Sequence, residues 1–247
     1  AGVTVLRPLR DWSLRRAAMN VVLSTSMADV LRRRGVWKEA TRVISNWADG
    51  SDLRPIPPED SFLRRDARLN GRFVVGYSGN MGRVHDLKTI VEAMEIVQKQ
   101  TAGQDLAADS SEVAFLFVGG GVQRTYVEQE VSARGLAAMV CFRPYQPKER
   151  LNDTLAAADA HLVSLIPEAE GLVVPSKFYS IAAAGRATLF VGAPDGEIAR
   201  LLAEHGCGMA VESGNAQALA DRILGLARDP AACAQFGARA RLAFDGR

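Results

Sequence analysis

The residues best suited by type and spacing to chemistry lie in Phe73–Asp86, FVVGYSGNMGRVHD. An apolar run of strand length enters Ser78-Gly79-Asn80-Met81-Gly82 and leaves into a segment of helical period. Glycines at such a turn let the backbone approach an anion, and the unpaired amides and dipole of a helix entrance favour phosphate. Arg83 and His85 add a charge and a hydrogen-bond donor in the same turn. A turn that merely packs tightly has the same composition, so this segment alone does not separate the two readings.

A second turn of this kind, Val118-Gly119-Gly120-Gly121, follows the apolar run Val113–Val118, with Arg124 one helical turn on. Both turns are expected at the carboxyl ends of parallel strands, where open α/β sheets bind ligands. A third constellation is PEAEGLVVPSKFYSIAAAG, Pro167–Gly185. Glu168 and Glu170 follow a strand-like run and share that edge. Ser176 is expected to cap a small-residue helix and leave its amides facing outward. Lys177 stands in the first turn of that helix, where a cation opposes the dipole and calls for an anionic partner. Neither glycine turn spells G-x-G-x-x-G, and no acid closes the second strand, which disfavours a dinucleotide oxidoreductase. The chain has no Asp-x-Asp, and His85, His161 and His205 have no metal-ligand spacing. His161, inside a strand-like run, reads as a core residue.

The elements that must position these residues alternate. Strand-like runs at Val21–Ser24, Phe73–Ser78, Val113–Val118, Val140–Phe142, His161–Leu165, Thr188–Val191 and Met209–Glu212 are separated by helical periods such as Asp86–Lys99 and Asn215–Arg228. This is the pattern of an α/β protein with a Rossmann-like parallel sheet flanked by helices. Three prolines in four residues, Pro55, Pro57 and Pro58, mark residues 47–70 as a hinge or linker. A short α/β piece of a preceding domain then occupies 1–46, and the main unit is 71–247. The polar stretch 101–112 reads as an exposed loop.

The chain has 247 residues, 48% hydrophobic and 23% charged. That is enough for a large core, and excludes global disorder and a disulfide scaffold. Cys141, Cys207 and Cys233 lack metal spacing and read as reduced thiols of a cytoplasmic protein. No apolar run approaches membrane-spanning length. Seven arginines against two aspartates give residues 1–34 a net charge of +5, leaving −3 for the rest. Such a segment is a solvated helix face or a contact for an anionic membrane, with nucleic acid the least favoured partner.

Taken together, the GNMGR loop, FVGGG, PSKFYSIAAAGR and DGEIARLLAEHGCGMAV resemble the carboxyl-terminal domain of family 4 retaining glycosyltransferases, which have the GT-B fold. The resemblance spans roughly 20–245 and is nearest to bacterial members that build exopolysaccharide or lipopolysaccharide. It implies a UDP- or GDP-linked sugar donor, retained configuration, and no cofactor or metal. It further implies an acceptor that is a lipid-linked glycan at the inner face of the membrane, with peripheral membrane contact. By position, Gly79, Asn80, Met81 and Gly82 form the diphosphate loop, and Glu168 or Glu170 stands near the transferred sugar. Gly119, Gly121 and Arg124 complete the donor site with Val140–Pro144, which flanks the base, and with Ser176, Lys177 and Ser180. The family's usual phosphate-binding arginine falls at Asn80 and its lysine near His85. Its second glutamate falls at Ser180, which cannot accept from two ribose hydroxyls as a carboxylate does. Arg83 and Lys177 are the replacement cations.

The resemblance makes this chain a donor-binding fragment, inactive alone, lacking most of the acceptor domain. The competing readings are a nucleotide-sugar epimerase of the same fold, a non-catalytic nucleotide-binding or assembly module, and a Rossmann oxidoreductase.

Overall fold

A computed structural model describes residues 2–48, 50, 52–102 and 113–246. The expected loop at 101–112 therefore lies almost wholly outside the described residues. The chain opens with helix α1 (Gly2–Arg16), strand β1 (Asn20–Val22), helix α2 (Thr25–Arg33) and strand β2 (Thr41–Val43). The main unit continues as β3 (Phe73–Ser78), α3 (Leu87–Thr101), β4 (Val113–Val118), α4 (Arg124–Ala133), β5 (Val140–Arg143) and α5 (Leu151–Ala156). It ends with β6 (Ala160–Ser164), α6 (Lys177–Ala183), β7 (Ala187–Gly192), α7 (Glu197–His205), β8 (Gly208–Glu212), α8 (Ala216–Arg228) and α9 (Pro230–Asp245).

The six strands from β3 onward form one sheet, ordered β5-β4-β3-β6-β7-β8, with every pair parallel. The chain winds outward from β3 to β5, then returns to the far side of β3 and winds the other way. The switch point therefore falls between β3 and β6. Those two strands pair only at Val75–Ala160 and Gly76–His161, while β3 and β4 stay in register from Phe73–Val113 to Ser78–Val118. The early parting opens a crevice at the carboxyl ends of the central strands, where such sheets bind ligands.

Strands apolar throughout bury both faces, as parallel sheets require. One face packs Val75, Tyr77, Phe115, Phe117 and Leu162 against α3, α4 and α8. On the other, Val163, Leu165 and Phe190 meet α6 and α7, and Val74, Ala114 and Leu116 meet Leu63 and Leu69. His161 is 1% exposed, bonds Leu155 O at 2.8 Å, and is the core histidine expected. All three cysteines are free and buried.

In residues 2–46, β1 and β2 form a separate two-stranded parallel sheet over Val22, Ala28, Leu31 and Val36. The three-residue β2 had no strand signal of its own in the sequence. Leu6, Leu9 and Trp12 stand exposed on α1 among its arginines. The described part of 47–70 lies along the main unit, with Leu53, Ser61, Leu63 and Leu69 buried. Arg241 Nη1 donates to Leu53 O and Ala183 O at 2.7 and 2.6 Å. No helix among the described residues is long and apolar enough to cross a membrane.

Candidate functional site

The sheet register explains the floor of the site. Tyr77, Phe117 and Phe142 occupy adjacent positions on β3, β4 and β5. Their rings stack in a row, with centroids 5.8 and 5.4 Å apart. Lys177, at the start of α6, crosses the crevice to this row. Its Nζ lies 3.9 Å from the Tyr77 ring centroid and 3.4 Å from Asn80 O, which also accepts from Tyr77 Oη at 3.0 Å. An ammonium over an aromatic face is attracted by the ring quadrupole. Lys177 has no carboxylate partner among the described residues, and burial pushes its pKa down to about 7.

The turn after β3 is rigid because the turn after β4 holds it from behind. Gly79 N donates to Val118 O at 2.8 Å and Met81 N to Gly120 O at 2.7 Å. Gln123 Nε2 binds the carbonyls of Gly82 and His85. The Met81 side chain is wholly buried in the core. A Cβ at Gly119 would lie 2.2 Å from Gly79 O, and one at Gly121 2.4 Å from Asn80 Oδ1. Both residues also have positive φ, 128° and 130°, so glycine is required twice over. These glycines bring the turns together and support the loop from behind. In this turn the amides of Asn80, Gly82, Arg83 and Val84 have no acceptor among the described residues. Beside them, Gly79 presents an open face toward Lys177, whose Cε would be 3.7 Å from an added Cβ.

The loop after β6 closes the other side. Ile166 N donates to Val84 O at 2.9 Å, and His85 Nδ1 lies 2.6 Å from Ser164 O. A carbonyl only accepts, so Nδ1 carries the proton and Nε2 is left as an acceptor. Burial, then the Lys177 charge, hold the His85 pKa down to about 4 against the pull of Ser164 O, so the ring is neutral. The two glutamates divide. Glu170 Oε1 accepts from Glu197 N at 3.0 Å, capping α7. Glu168 is exposed and has no side-chain partner among the described residues. Their loop is braced by α2, because a Cβ on Gly171 would meet Val30 Cγ2 at 2.8 Å and Ser26 O at 3.0 Å.

Two sequence expectations are corrected. Ser176 does not cap α6. Its φ of −63° and ψ of −24° are already helical, its side chain makes no cap bond, and Phe178 N and Tyr179 N donate to Pro175 O and Ser176 O. A capping serine needs extended backbone to reach those amides. Arg124 is held by groups of the protein itself rather than left free for a ligand. Its guanidinium binds Gly119 O, Arg143 O and Glu128, and lies over the Phe142 ring. Arg83 is exposed, with no side-chain partner among the described residues. Pro144 is exposed beyond β5, its carbonyl accepting from Gln146 Nε2 at 3.0 Å.

A cavity of about 140 Å³ runs from Ser78 and Gly79 past Tyr145, Gln146 and Thr154 to Lys177 and Ser180. A second cavity of about 450 Å³, beside Asp52, Lys148 and Asn152, shares Leu151 and Ser180 with it. Sequence reasoning missed Tyr77, Gln123, Tyr145 and Thr154. Tyr145 had a positional signal, following β5 at the carboxyl edge. Tyr77, Gln123 and Thr154 had none, since only the packing reveals their roles.

An open parallel sheet whose switch-point crevice holds free amides and an unpaired lysine defines a domain of the kind that binds phosphorylated ligands. More particularly, the chain belongs to the group 1 glycosyl transferases, which it matches over residues 60–243. It is 29% identical over 204 residues to WbjE of Pseudomonas aeruginosa, named a probable glycosyltransferase, covering 83% of this chain and 48% of WbjE. It is 28% identical over 165 residues to WcaI of Escherichia coli (strain K12), named a putative colanic acid biosynthesis glycosyl transferase. That match covers 66% of this chain and 38% of WcaI. The chain thus spans about half or less of these two relatives. The crystal structure of Anabaena Alr3699/HepE in complex with UDP and glucose superposes with a TM-score of 0.79 at 22% identity. It covers 99% of this chain and 62% of that one. The fold is the carboxyl-terminal half of a GT-B glycosyltransferase.

Proposed function

We propose that this chain binds a nucleoside-diphosphate sugar in the switch-point crevice and that the protein transfers the sugar with retained configuration, without a metal. The observation that carries this reading is Lys177 Nζ, unpaired and 3.4 Å from Asn80 O, beside the open amides of Asn80 and Gly82. A cation close to a loop with free amides suits the charge that develops on a leaving diphosphate. Arg83, exposed on the same loop, adds a second cation. Glu168 is the carboxylate free to approach the transferred sugar, while Glu170 fixes the loop. His85 Nε2 accepts a hydroxyl of the donor. The donor-binding unit starts near residue 60, in keeping with the buried Leu63 and Leu69, and 47–59 is the hinge.

The acceptor is a lipid-linked glycan of a bacterial surface polysaccharide, held mainly by protein outside residues 60–247, so this chain alone does not turn over. The exposed Leu6, Leu9 and Trp12 among Arg7, Arg10, Arg15 and Arg16 support docking at an anionic membrane face. Calorimetric titration with UDP and with GDP, in chelator-treated buffer, tests the reading. Saturable binding of one of them is expected. Silence with both overturns it.

A further inference from the structure

The cavity of about 140 Å³ that begins at Gly79 and Lys177 has Thr154 on its wall. The short helix α5 that carries Thr154 is pinned by the two residues before it. Asn152 Oδ1 accepts from Arg54 N at 3.0 Å. Asp153 accepts from Phe62 N through Oδ1 at 3.1 Å, and from Ser61 Oγ through its carbonyl at 2.9 Å. Thr154 itself is 2% exposed, and its Oγ1 is buried without a hydrogen-bond partner among the described residues. A helical threonine commonly turns its hydroxyl onto a carbonyl one turn back, and this one does not. Ser78, Gln146 and Ser180 on the same wall are half-buried, so water reaches them. Thr154 Oγ1 is closed to water, and a buried hydroxyl left unpaired is costly. No internal bond fixes its rotamer, so the hydroxyl turns toward a group in the cavity without breaking one.

The rest of the wall limits what that group is. Val118, Leu151 and Leu155 make the cavity largely apolar, and an apolar cavity of about 150 Å³ holds one benzene ring. The space beside Lys177 therefore suits a single uncharged ring with a polar edge, not a second charged group. A nucleoside carries such rings in its pentose and its base, joined to the diphosphate that Lys177 and the loop amides attract. We infer that Thr154 Oγ1 hydrogen-bonds the nucleoside part of the donor and is a binding residue of this site. The inference rests on the nucleotide-binding reading above. The hydroxyl destabilises the free protein and strengthens the complex, because the ligand supplies the partner that the fold does not.

The test is calorimetric titration of the intact chain with UDP and with GDP, beside thermal melts of the unliganded chain. Thr154→Val keeps the side-chain shape and removes the hydroxyl, whereas Thr154→Ser keeps the hydroxyl. We expect Thr154→Val to bind the nucleotide roughly 5- to 50-fold more weakly than wild type. It should melt no lower, because no bond within the fold is lost. Thr154→Ser should stay within about threefold of wild-type affinity. Repeating the titrations with the 2′-deoxy form of the bound nucleotide places the contact. A penalty that vanishes assigns it to the 2′-hydroxyl, and one that persists assigns it to the remainder of the nucleoside. Weakening by less than about fivefold in Thr154→Val overturns the inference and leaves the nucleotide site standing. A melting temperature lower by about 3 °C or more also overturns it, since the hydroxyl would then be bonded within the fold. An equal loss in Thr154→Ser points to packing and does the same. Failure of the wild type to bind either nucleotide overturns the underlying reading and this inference with it.

Discussion

Lys177 Nζ rests 3.9 Å above the Tyr77 ring, joining the first turn of α6 to the end of β3 across the switch point. The lysine is held by an aromatic face and one carbonyl, with no counter-charge, at the point where the loop amides open. An ammonium so placed is electrostatically unsatisfied until an anion arrives.

The first prediction concerns that proton. With the Lys177 pKa in the free protein pushed down to about 7 by burial, the ammonium is complete only below that pH. UDP affinity should be highest at pH 6 and fall by up to about tenfold per unit above pH 7. Lys177→Met should weaken binding at pH 6 by roughly 10- to 100-fold, the worth of a charge-assisted hydrogen bond, and flatten the profile. The same variant should melt higher than the unliganded wild type at pH 7. The unfolded lysine, at 10.5, binds more protons than the folded one, so below 10.5 the buried ammonium is a destabilising group. Calorimetry across pH and thermal melts check both halves.

The glutamates should behave oppositely. Glu170→Ala removes the acceptor for Glu197 N and should cost about 1 kcal/mol of stability. Glu168→Gln should leave stability within about 0.5 kcal/mol. Where sugar transfer is measured, it should lower the rate by roughly 100-fold or more without changing UDP affinity. Denaturant unfolding and transfer assays separate the two roles.

Gly119→Ala tests whether the second turn holds the first. The methyl would sit 2.2 Å from Gly79 O at a φ of 128°. We expect a loss of about 3 kcal/mol or more and no detectable UDP binding. Gly225→Ala, where a Cβ meets nothing within 4 Å, is the control and should be neutral or slightly stabilising.

Acid sensitivity should have a histidine component. His85 and His161 are both held neutral by burial, with pKa values down to about 4 against 6.5 for the free side chain. The unfolded chain protonates first, so their contribution is complete above pH 6.5 and is lost as pH falls toward 4. Melting temperature should decline across that window, ahead of the carboxylates. His85→Gln should reduce the slope.

Most of the main sheet was legible because its strands are continuous apolar runs between helical periods. Phe73–Ser78 and Val113–Val118 have the same bounds in sequence and structure. The three-residue β2 was not legible, since too few residues carry a period and its pairing with β1 is a tertiary fact. In the site, loop identity followed from the glycines, but their division of labour did not. Gly119 and Gly121 look like ligand-facing residues, yet their lack of Cβ serves the contact between turns. Ser176 had the right type for a cap and the wrong backbone for it. Arg124 had the right charge and a different partner, because Gly119 O and Arg143 O converge on it. Tyr77, the platform under Lys177, is an ordinary strand aromatic until the register sets Phe117 and Phe142 beside it.

The central claim is that a diphosphate is bound at the loop of Asn80, Gly82 and Arg83 under Lys177. Amide chemical-shift mapping of the isotope-labelled chain titrated with UDP tests it most directly. The account predicts saturable shifts largest at Asn80, Gly82 and Arg83, attenuated in Lys177→Met. Shifts centred elsewhere, or none at millimolar UDP, would contradict it.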